Sequence, residues 1–205
     1  MTDPSDFWDK RFSQQGYLFG TKPAEFLTRH AEHLTPGNTV LSVADGEGRN
    51  SVWLATQGMA VTAMDGSAVA LDKARVLAAE AGVKVGYHQG DVTKWDWDAT
   101  QYDAVVGVFF QFLAPQARAA VFAGLDRALK PGGLLMLHGY APRQVEYGTG
   151  GPPNVENMYD LALLNAAFSG YDVLHQADFD IDVQEGLAHS GRSAMIDFVA
   201  RKAGQ

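Results

Sequence analysis

The sequence predicts an α/β fold: an open, mostly parallel sheet with helices on its faces. Three observations carry that prediction. Apolar, β-branched runs alternate with helical stretches from about residue 39 to residue 140. One of the runs, Tyr102 to Phe109, is apolar almost throughout. The first run leads straight into a glycine-rich turn. Strands alternating with helices imply βαβ units, whose strands are covered on both faces and lose the polar alternation of a half-exposed strand.

Thr39 to Ala44 is the first strand, ending at Asp45-Gly46. Ser51 to Gln57 reads as helix, closed by Gly58, and Met59 to Met64 as the second strand. Ser67 is placed to cap the next helix, whose apolar face is Val69, Ala70, Ala74 and Leu77, with Gly82 after its end. Lys84 to Tyr87 and Tyr102 to Phe109 are the third and fourth strands. Pro115 to Leu129 is a helix, Pro131-Gly132-Gly133 a turn, and Leu134 to Gly139 the fifth strand. Beyond it the pattern changes. Ala141 to Asn157 is rich in Gly and Pro and reads as a long loop, of the kind that carries function in compact domains. Met158 to Phe168 reads as a helix. Tyr171 to Val183 and Ala194 to Arg201 then follow with no helix between them, which suggests an antiparallel hairpin at one edge. Before the first strand, Phe7, Trp8 and Phe12 share helical spacing and Pro23 to Leu34 reads as a second helix. This extension either packs on the sheet or lies over the site as a lid. With no internal repeat and no linker, the reading is one domain over residues 1–205. It comprises an N-terminal cap (1–38), a cofactor-binding half (39–140) and an acceptor-side loop and hairpin (141–205).

Composition narrows the function. A chain of 205 residues with 46% hydrophobic and 20% charged residues is ordinary globular material. The formal net charge is -8. Nucleic-acid binding draws most of its affinity from Lys and Arg, so nucleic acid is not an expected partner. No apolar run is long enough to span a bilayer, and the acidic, aromatic start lacks the pattern of a signal peptide, so a cytoplasmic protein is the simplest expectation. Cysteine is absent. That excludes disulfides, thiolate metal sites and a cysteine nucleophile. No close His and carboxylate spacing resembles a metal motif, and no metal is expected.

The chemistry concentrates in Val40-Leu41-Ser42-Val43-Ala44-Asp45-Gly46-Glu47-Gly48-Arg49-Asn50, a strand, a glycine turn and a helix start. Open α/β sheets bind ligands just beyond the carboxyl ends of their strands, where glycines allow a tight turn and a close approach. Asp65 ends the second strand, where a carboxylate can accept the hydroxyls of an adenosine ribose. Asp91 follows the third strand in Gln89-Gly90-Asp91-Val92, where an acid either meets an adenine amino group or simply makes a turn. The spacing Gly46-x-Gly48-x-x-Ser51 comes close to a dinucleotide pattern. Charge argues against that ligand. A pyrophosphate carries two negative charges, and this loop carries Asp45 and Glu47. Two like charges about 6 Å apart repel by roughly 3 kcal/mol at an effective dielectric near 20. An acidic loop suits a cationic ligand without phosphate.

These residues resemble the class I methyltransferases that use S-adenosylmethionine (SAM), and more closely the bacterial group related to tellurite-resistance and thiopurine methyltransferases. The resemblance rests on Phe7-Trp8-Asp9-Lys10-Arg11-Phe12, Tyr17-Leu18-Phe19-Gly20-Thr21-Lys22-Pro23, the glycine turn with Gly48-Arg49-Asn50, and Met64-Asp65-Gly66-Ser67. It extends to Leu129-Lys130-Pro131-Gly132-Gly133, Tyr147-Gly148-Thr149-Gly150-Gly151-Pro152 and Glu185-Gly186-Leu187-Ala188-His189-Ser190-Gly191. It implies a Rossmann-like three-layer sandwich with seven strands, the last antiparallel. It also implies SAM as methyl donor and S-adenosylhomocysteine as product. By position, Ala44, Asp45, Gly46 and Gly48 would face the methionine part of the cofactor, with Asn50 close by. Asp65 would hold the ribose, and Gly66, Ser67, Asp91 and Val92 would frame the adenine. Val108 would lie beneath the cofactor, and Trp8, Arg11 and Phe19 would approach from the N-terminal segment. The sequence departs from the family at Ser42, where an acid is usual, and at Ala44, where glycine is usual. Asp45 is the acid nearest to hand to replace the first.

Methyl transfer from SAM is a direct displacement, so alignment of the acceptor is the enzyme's main task. Candidate acceptor-side residues are Phe110 and Gln111 after the fourth strand, Tyr140 after the fifth, Tyr147 in the long loop, and His189 in the hairpin. Tyr140 and His189 are the candidates for proton transfer. The expected function is methylation of a small molecule by a monomer or homodimer, with thiol, selenium or tellurium acceptors favoured by the resemblance. Two alternatives remain: a non-catalytic SAM-binding module and an NAD(P)-dependent oxidoreductase.

Overall fold

The computed structural model describes the backbone of residues 4–185 and 189–204, and the side chains of residues 6–184 and 191–204. The chain divides into two compact units, Met1–Trp95 with Glu185–Ala188, and Asp96–Gln184 with His189–Gln205.

The first unit begins with helix α1 (Pro4–Phe12), short helix α2 (Glu25–Arg29) and a 3-10 turn (Ala31–His33). The sequence predicts one helix over residues 23–34. The chain instead breaks at His30, whose φ of -115° and ψ of 21° leave the α region. Strand β1 (Thr39–Val43), helix α3 (Arg49–Thr56), strand β2 (Ala60–Asp65), helix α4 (Ala68–Glu80) and strand β3 (Val85–Gln89) follow. Both β1–β2 and β2–β3 are parallel, with Val43 beside Met64 and Asp65 beside Gln89. β1 is buried from Val40 onward. Helix α4 starts as the sequence predicts: the Ser67 hydroxyl oxygen accepts from the Ala70 amide at 3.1 Å. The cap satisfies one of the amides that a helix start leaves without an internal partner.

The second unit holds β4 (Tyr102–Val108), α5 (Pro115–Ala128), β5 (Leu129–Tyr140), α6 (Gln144–Tyr147), a 3-10 turn (Val155–Asn157), α7 (Leu161–Ala167), β6 (Tyr171–Glu185) and β7 (His189–Lys202). Pro115 occupies the first turn of α5, where its missing N–H costs nothing. The expected Pro131-Gly132-Gly133 turn is part of β5. Leu129 already pairs with Tyr102, the strand bulges, and regular parallel pairing resumes at Leu134 opposite Ala104. Gly132 takes a φ of 76° in that bulge, which glycine adopts freely. β7 runs antiparallel to β5. The seven strands lie in the order β3-β2-β1-β4-β5-β7-β6, a mostly parallel sheet with antiparallel strands at the end, as predicted. The hairpin strands run two residues past the expected end of β6 and start five residues before the expected start of β7.

Candidate functional site

In the first unit, every second residue of the turn after β1 has left-handed backbone. Ala44, Gly46 and Gly48 have φ of 50°, 64° and 90°. The glycines serve the protein's own packing. A Cβ on Gly48 would stand 2.7 Å from the Cβ of Ala74, and one on Gly46 would face the Phe12 ring at 3.5 Å. The sequence expectation was close approach to a ligand; at Gly48 the close approach is to α4.

Asp45 lies inside the turn. Its Oδ1 accepts from the Ser42 hydroxyl at 2.7 Å and the Ser51 amide at 3.2 Å, and its Oδ2 accepts from the Ser51 hydroxyl at 2.5 Å. Ser51 is in the first turn of α3, so Asp45 occupies the helix N-terminus that an anionic ligand would otherwise approach. Burial pushes its carboxyl up to about 6, against the hydrogen bonds from Ser51 and Ser42.

Asp65 ends β2, 8% exposed. Its Oδ2 accepts from the Gly46 amide and its Oδ1 from the Ser67 amide, both at 2.8 Å. The carboxylate is thus oriented by backbone on two sides. A carboxylate accepts about four hydrogen bonds, so it keeps capacity for a hydroxyl donor. Burial, and Asp9 in addition, push its carboxyl up, while the backbone amides pull the other way.

The remaining polar side chains of the turn reach away from it. Glu47 Oε2 accepts from the Leu18 amide at 2.7 Å, and Glu47 Oε1 meets Lys73 Nζ at 2.8 Å. Lys73 also donates to the carbonyls of Gln14 and Gly16. Arg49 donates to the Phe19 carbonyl, and Asn50 Oδ1 accepts from the Ala24 amide at 3.0 Å. Three polar positions flanking Gly48, residues 47, 49 and 50, therefore fasten residues 18–24 to the turn. The sequence argument that Asp45 and Glu47 repel a pyrophosphate needs a correction. Glu47 is neutralised by Lys73, and Asp45 excludes an anion by occupying the helix N-terminus rather than by charge alone.

Above this strap, Phe12, Leu18 and Ala70 form a buried cluster against which Trp8, Phe19 and Val69 pack. Trp8 stacks on Phe12, and the Arg11 guanidinium lies 5.3 Å over the Trp8 ring. Gly66 has open space where a Cβ would project, apart from the Gly90 carbonyl at 3.9 Å. Val92 is buried. Asp91 is exposed and makes a local turn: its Oδ1 accepts from the Thr93 amide and hydroxyl at 2.9 and 2.7 Å. The turn of the sequence reading is present. Among the described residues, His30, Glu32 and His33 each bring one ligand-type atom within 4.8 Å of the others. The sequence reading names no such group.

In the second unit, the residue after β4 is backbone-strained. Phe109 has a φ of 57°, a genuine outlier for a bulky side chain. Its ring packs on His138 at 4.9 Å and on Tyr140 at 5.0 Å. Tyr140, Met158, Val183 and Met195 form a buried cluster against which Phe109, Phe179 and Ile181 pack. Val108 ends β4, 8% exposed. Two expected acceptor residues take other parts. Phe110 is 1% exposed and packs on Phe122 and Tyr159 in the core. Gln111 spends its whole amide on one residue: its Oε1 accepts from the Tyr140 amide at 2.5 Å, and its Nε2 donates to the Tyr140 carbonyl at 2.8 Å. Tyr147 donates to Asp180 at 2.7 Å, and Arg143 donates to Asp178 and Asp180. The loop is thereby tied to β6. His189 opens β7, and its side chain lies outside the described residues. His138 pairs with Asp197 at 2.6 Å, both buried, on facing positions of β5 and β7.

Comparison with known proteins follows the same lines. Residues 40–133 match a family model described as a methyltransferase domain. An uncharacterized methyltransferase of Synechocystis sp. is 30% identical over 105 residues, covering 51% of this chain and 48% of the relative. The chain thus spans about half the length of that curated relative. The structure described for conversion of a disulfide bond into a thioacetal group during echinomycin biosynthesis superposes with a TM-score of 0.78 at 17% identity, over 98% of this chain and 92% of that one. TehB from Haemophilus influenzae superposes with a TM-score of 0.71 at 15% identity, over 97% of this chain and 66% of that one. At these identities the structural likeness is one of fold. The chain thus carries a match to a methyltransferase domain over residues 40–133 and shares its fold along nearly its whole length with these structures.

Proposed function

We propose that this chain transfers a methyl group from SAM to a small-molecule acceptor, with a thiol or a selenium or tellurium compound as the preferred class. The observation that carries the cofactor half is the pairing of Asp65 with Asp45. Asp65 offers a buried, oriented acceptor to a ribose hydroxyl, while Asp45 closes the helix N-terminus to phosphate. The cations Arg49 and Lys73 are turned to the N-terminal strap. This donor set fits a nucleoside without a pyrophosphate and argues against a dinucleotide oxidoreductase. In this reading Asp65 holds the ribose, and Gly66 and Val92 border the adenine. The turn from Ala44 to Gly48 passes the methionine part, and Trp8, Arg11 and Phe19 cover it. Asp45 and Asn50 support the turn from within.

When bound, SAM supplies an electrophilic methyl carbon on a sulfonium. The chain's own task is to align the acceptor and exclude water. An acceptor lone pair forms the new bond to the methyl carbon as the carbon–sulfur bond breaks, leaving neutral S-adenosylhomocysteine. The apolar cluster around Phe109, Tyr140, Met158 and Met195 suits a soft, weakly hydrated nucleophile, and Arg143 is engaged by Asp178 and Asp180. The sulfur chemistry described for the echinomycin protein supports the same class. As thiolates or chalcogen anions such acceptors are nucleophilic without a strong base; a neutral thiol, amine or hydroxyl also gives up a proton, and Tyr140 and His189 are the candidates to take it.

The test is calorimetric titration with S-adenosylhomocysteine and with NADH, for wild type and Asp65→Ala. Micromolar S-adenosylhomocysteine binding that is lost in Asp65→Ala, with no NADH binding, supports the reading and opens an acceptor screen with thiols and selenite. S-adenosylhomocysteine binding that Asp65→Ala leaves intact overturns the site assignment. Binding without turnover across the screen would make the chain a SAM-binding module.

A further inference from the structure

Helix α1 lies beside two of the residues whose amides orient Asp65, Gly46 and Ser67. One donor is the Gly46 amide, and the Phe12 ring lies against Gly46. The other is the Ser67 amide, and Asp9 lies against Ser67: its Oδ1 accepts from the Ser67 hydroxyl at 2.5 Å and from the Val69 amide at 3.3 Å. Ser67 is therefore bonded in two directions, through its amide to Asp65 on β2 and through its hydroxyl to Asp9 on α1. The Ser67 oxygen also accepts from Ala70, so its one proton is directed to Asp9. Trp8 and Phe12, one position before Asp9 and three after it, anchor α1 on Ala70 and Val69 of α4. Removing the Asp9 carboxylate would leave the Ser67 hydroxyl without its acceptor and the start of α4 without a second cap.

We infer that Asp9 is a positioning residue of the cofactor site: through Ser67 it fixes the Asp65 carboxylate when α1 is docked, so that docking of α1 and binding of the cofactor favour one another. The inference rests on the assignment of Asp65 to the cofactor ribose. Two events that share one set of contacts are linked reciprocally: whatever tightens the cofactor tightens the helix, by the same factor. The sequence motif Phe7-Trp8-Asp9-Lys10-Arg11-Phe12 thereby acquires a physical role for its acid. The cleavable bonds after Lys10 and Arg11, next to Asp9, report on whether the helix is docked.

The experiment compares wild type, Asp9→Ala, Asp9→Asn and Asp72→Asn. Asp72→Asn removes the same charge from an exposed position of α4 that pairs with Arg75. Each is titrated with S-adenosylhomocysteine and digested with trypsin with and without it. S-adenosylhomocysteine slows cleavage at Lys10 and Arg11 in wild type and in Asp72→Asn. Asp9→Ala binds it about tenfold more weakly, the scale of one charge-assisted hydrogen bond, and loses the ligand-dependent protection. Asp9→Asn, which still accepts from Ser67 but has no charge, falls between. In turnover the loss appears in KM for SAM and not in kcat. A purely structural Asp9 would lower thermal stability and leave affinity and KM alone. Wild-type affinity in Asp9→Ala, or equal protection by ligand in both proteins, overturns the inference while leaving the cofactor reading standing. Absence of binding in wild type overturns both.

Discussion

Ser42 donates its hydroxyl to Asp45 three residues along the chain, at 2.7 Å, across the turn that ends β1. The family resemblance expects an acid at position 42. Here the carboxylate sits instead on the turn, and the serine hydroxyl holds it against the start of α3.

The Asp45 carboxylate makes stability pH-dependent in an unusual direction. Its folded pKa of about 6 lies above the ordinary value of 3.8. The folded state therefore holds the proton more tightly than the unfolded chain. The stability this gives is complete below about pH 4 and lost as pH rises through 6, on the order of 3 kcal/mol in all. Asp45→Asn keeps an acceptor for Ser51 and does not titrate. Its stability relative to wild type is expected to rise between pH 4.5 and pH 7.5, measured by urea unfolding at each pH. A difference that stays flat across that range would sink the assignment.

Ala44 spends backbone energy beside it. Its φ of 50° is left-handed, a region that costs a residue with a Cβ roughly 1–2 kcal/mol. Glycine removes that strain but gains freedom in the unfolded chain, so Ala44→Gly is expected to stabilise the protein by up to about 1 kcal/mol. A thermal melt is sufficient to check it; a drop in Tm would show that the Ala44 methyl makes contacts worth more than the strain.

The two residues mark how far the sequence reaches. Strands β1, β2 and β4 are legible from apolar runs, and Asp65 from its position at a strand end. What one residue type does to a distant backbone group is not legible. Glu47, Arg49 and Asn50 read as part of a ligand loop, yet their partners are Leu18, Phe19 and Ala24, brought near only by the fold. Gln111 reads as an acceptor residue because it follows β4; its partner is the backbone of Tyr140, on the next strand. Local punctuation also misleads at Pro131-Gly132-Gly133, where the same residues that make turns make a bulge inside β5.

Gln111 is accordingly expected to matter for stability. Gln111→Leu leaves the Tyr140 N–H without its side-chain partner in a buried setting, while the C=O keeps its bond from the Tyr159 amide, at a cost of about 1–3 kcal/mol. Chemical denaturation measures it. An unchanged midpoint together with a raised acceptor KM would return Gln111 to the acceptor site.

The strap over the glycine turn depends on Lys73. Its partner Glu47 has a side chain only 2% exposed, and a buried charge left alone costs more than the pair contributes. Lys73→Met is therefore expected to destabilise by roughly 2–4 kcal/mol, and adding Glu47→Gln should recover part of the loss. The double-mutant cycle gives the coupling directly. Additive effects would mean that the Gln14 and Gly16 carbonyls, and not Glu47, are what Lys73 serves.

Phe109 offers the sharpest test of the acceptor side. Its left-handed φ is maintained while its ring lies between His138 and Tyr140. Strain of this kind persists where surrounding structure holds it, and it clusters at functional sites. Two truncations separate backbone from ring. At an ordinary position alanine is more stable than glycine; at position 109 glycine escapes the strain and alanine does not. Phe109→Gly is expected to be more stable than Phe109→Ala by about 1 kcal/mol. Both lose the ring, so both are expected to raise KM for the acceptor and leave S-adenosylhomocysteine affinity within about twofold, a difference of less than 0.5 kcal/mol. If Phe109→Ala is the more stable of the two, the left-handed backbone at 109 is not a strain that the fold holds in place. If acceptor KM moves in neither variant, the apolar cluster around Tyr140 is core, and the acceptor lies elsewhere.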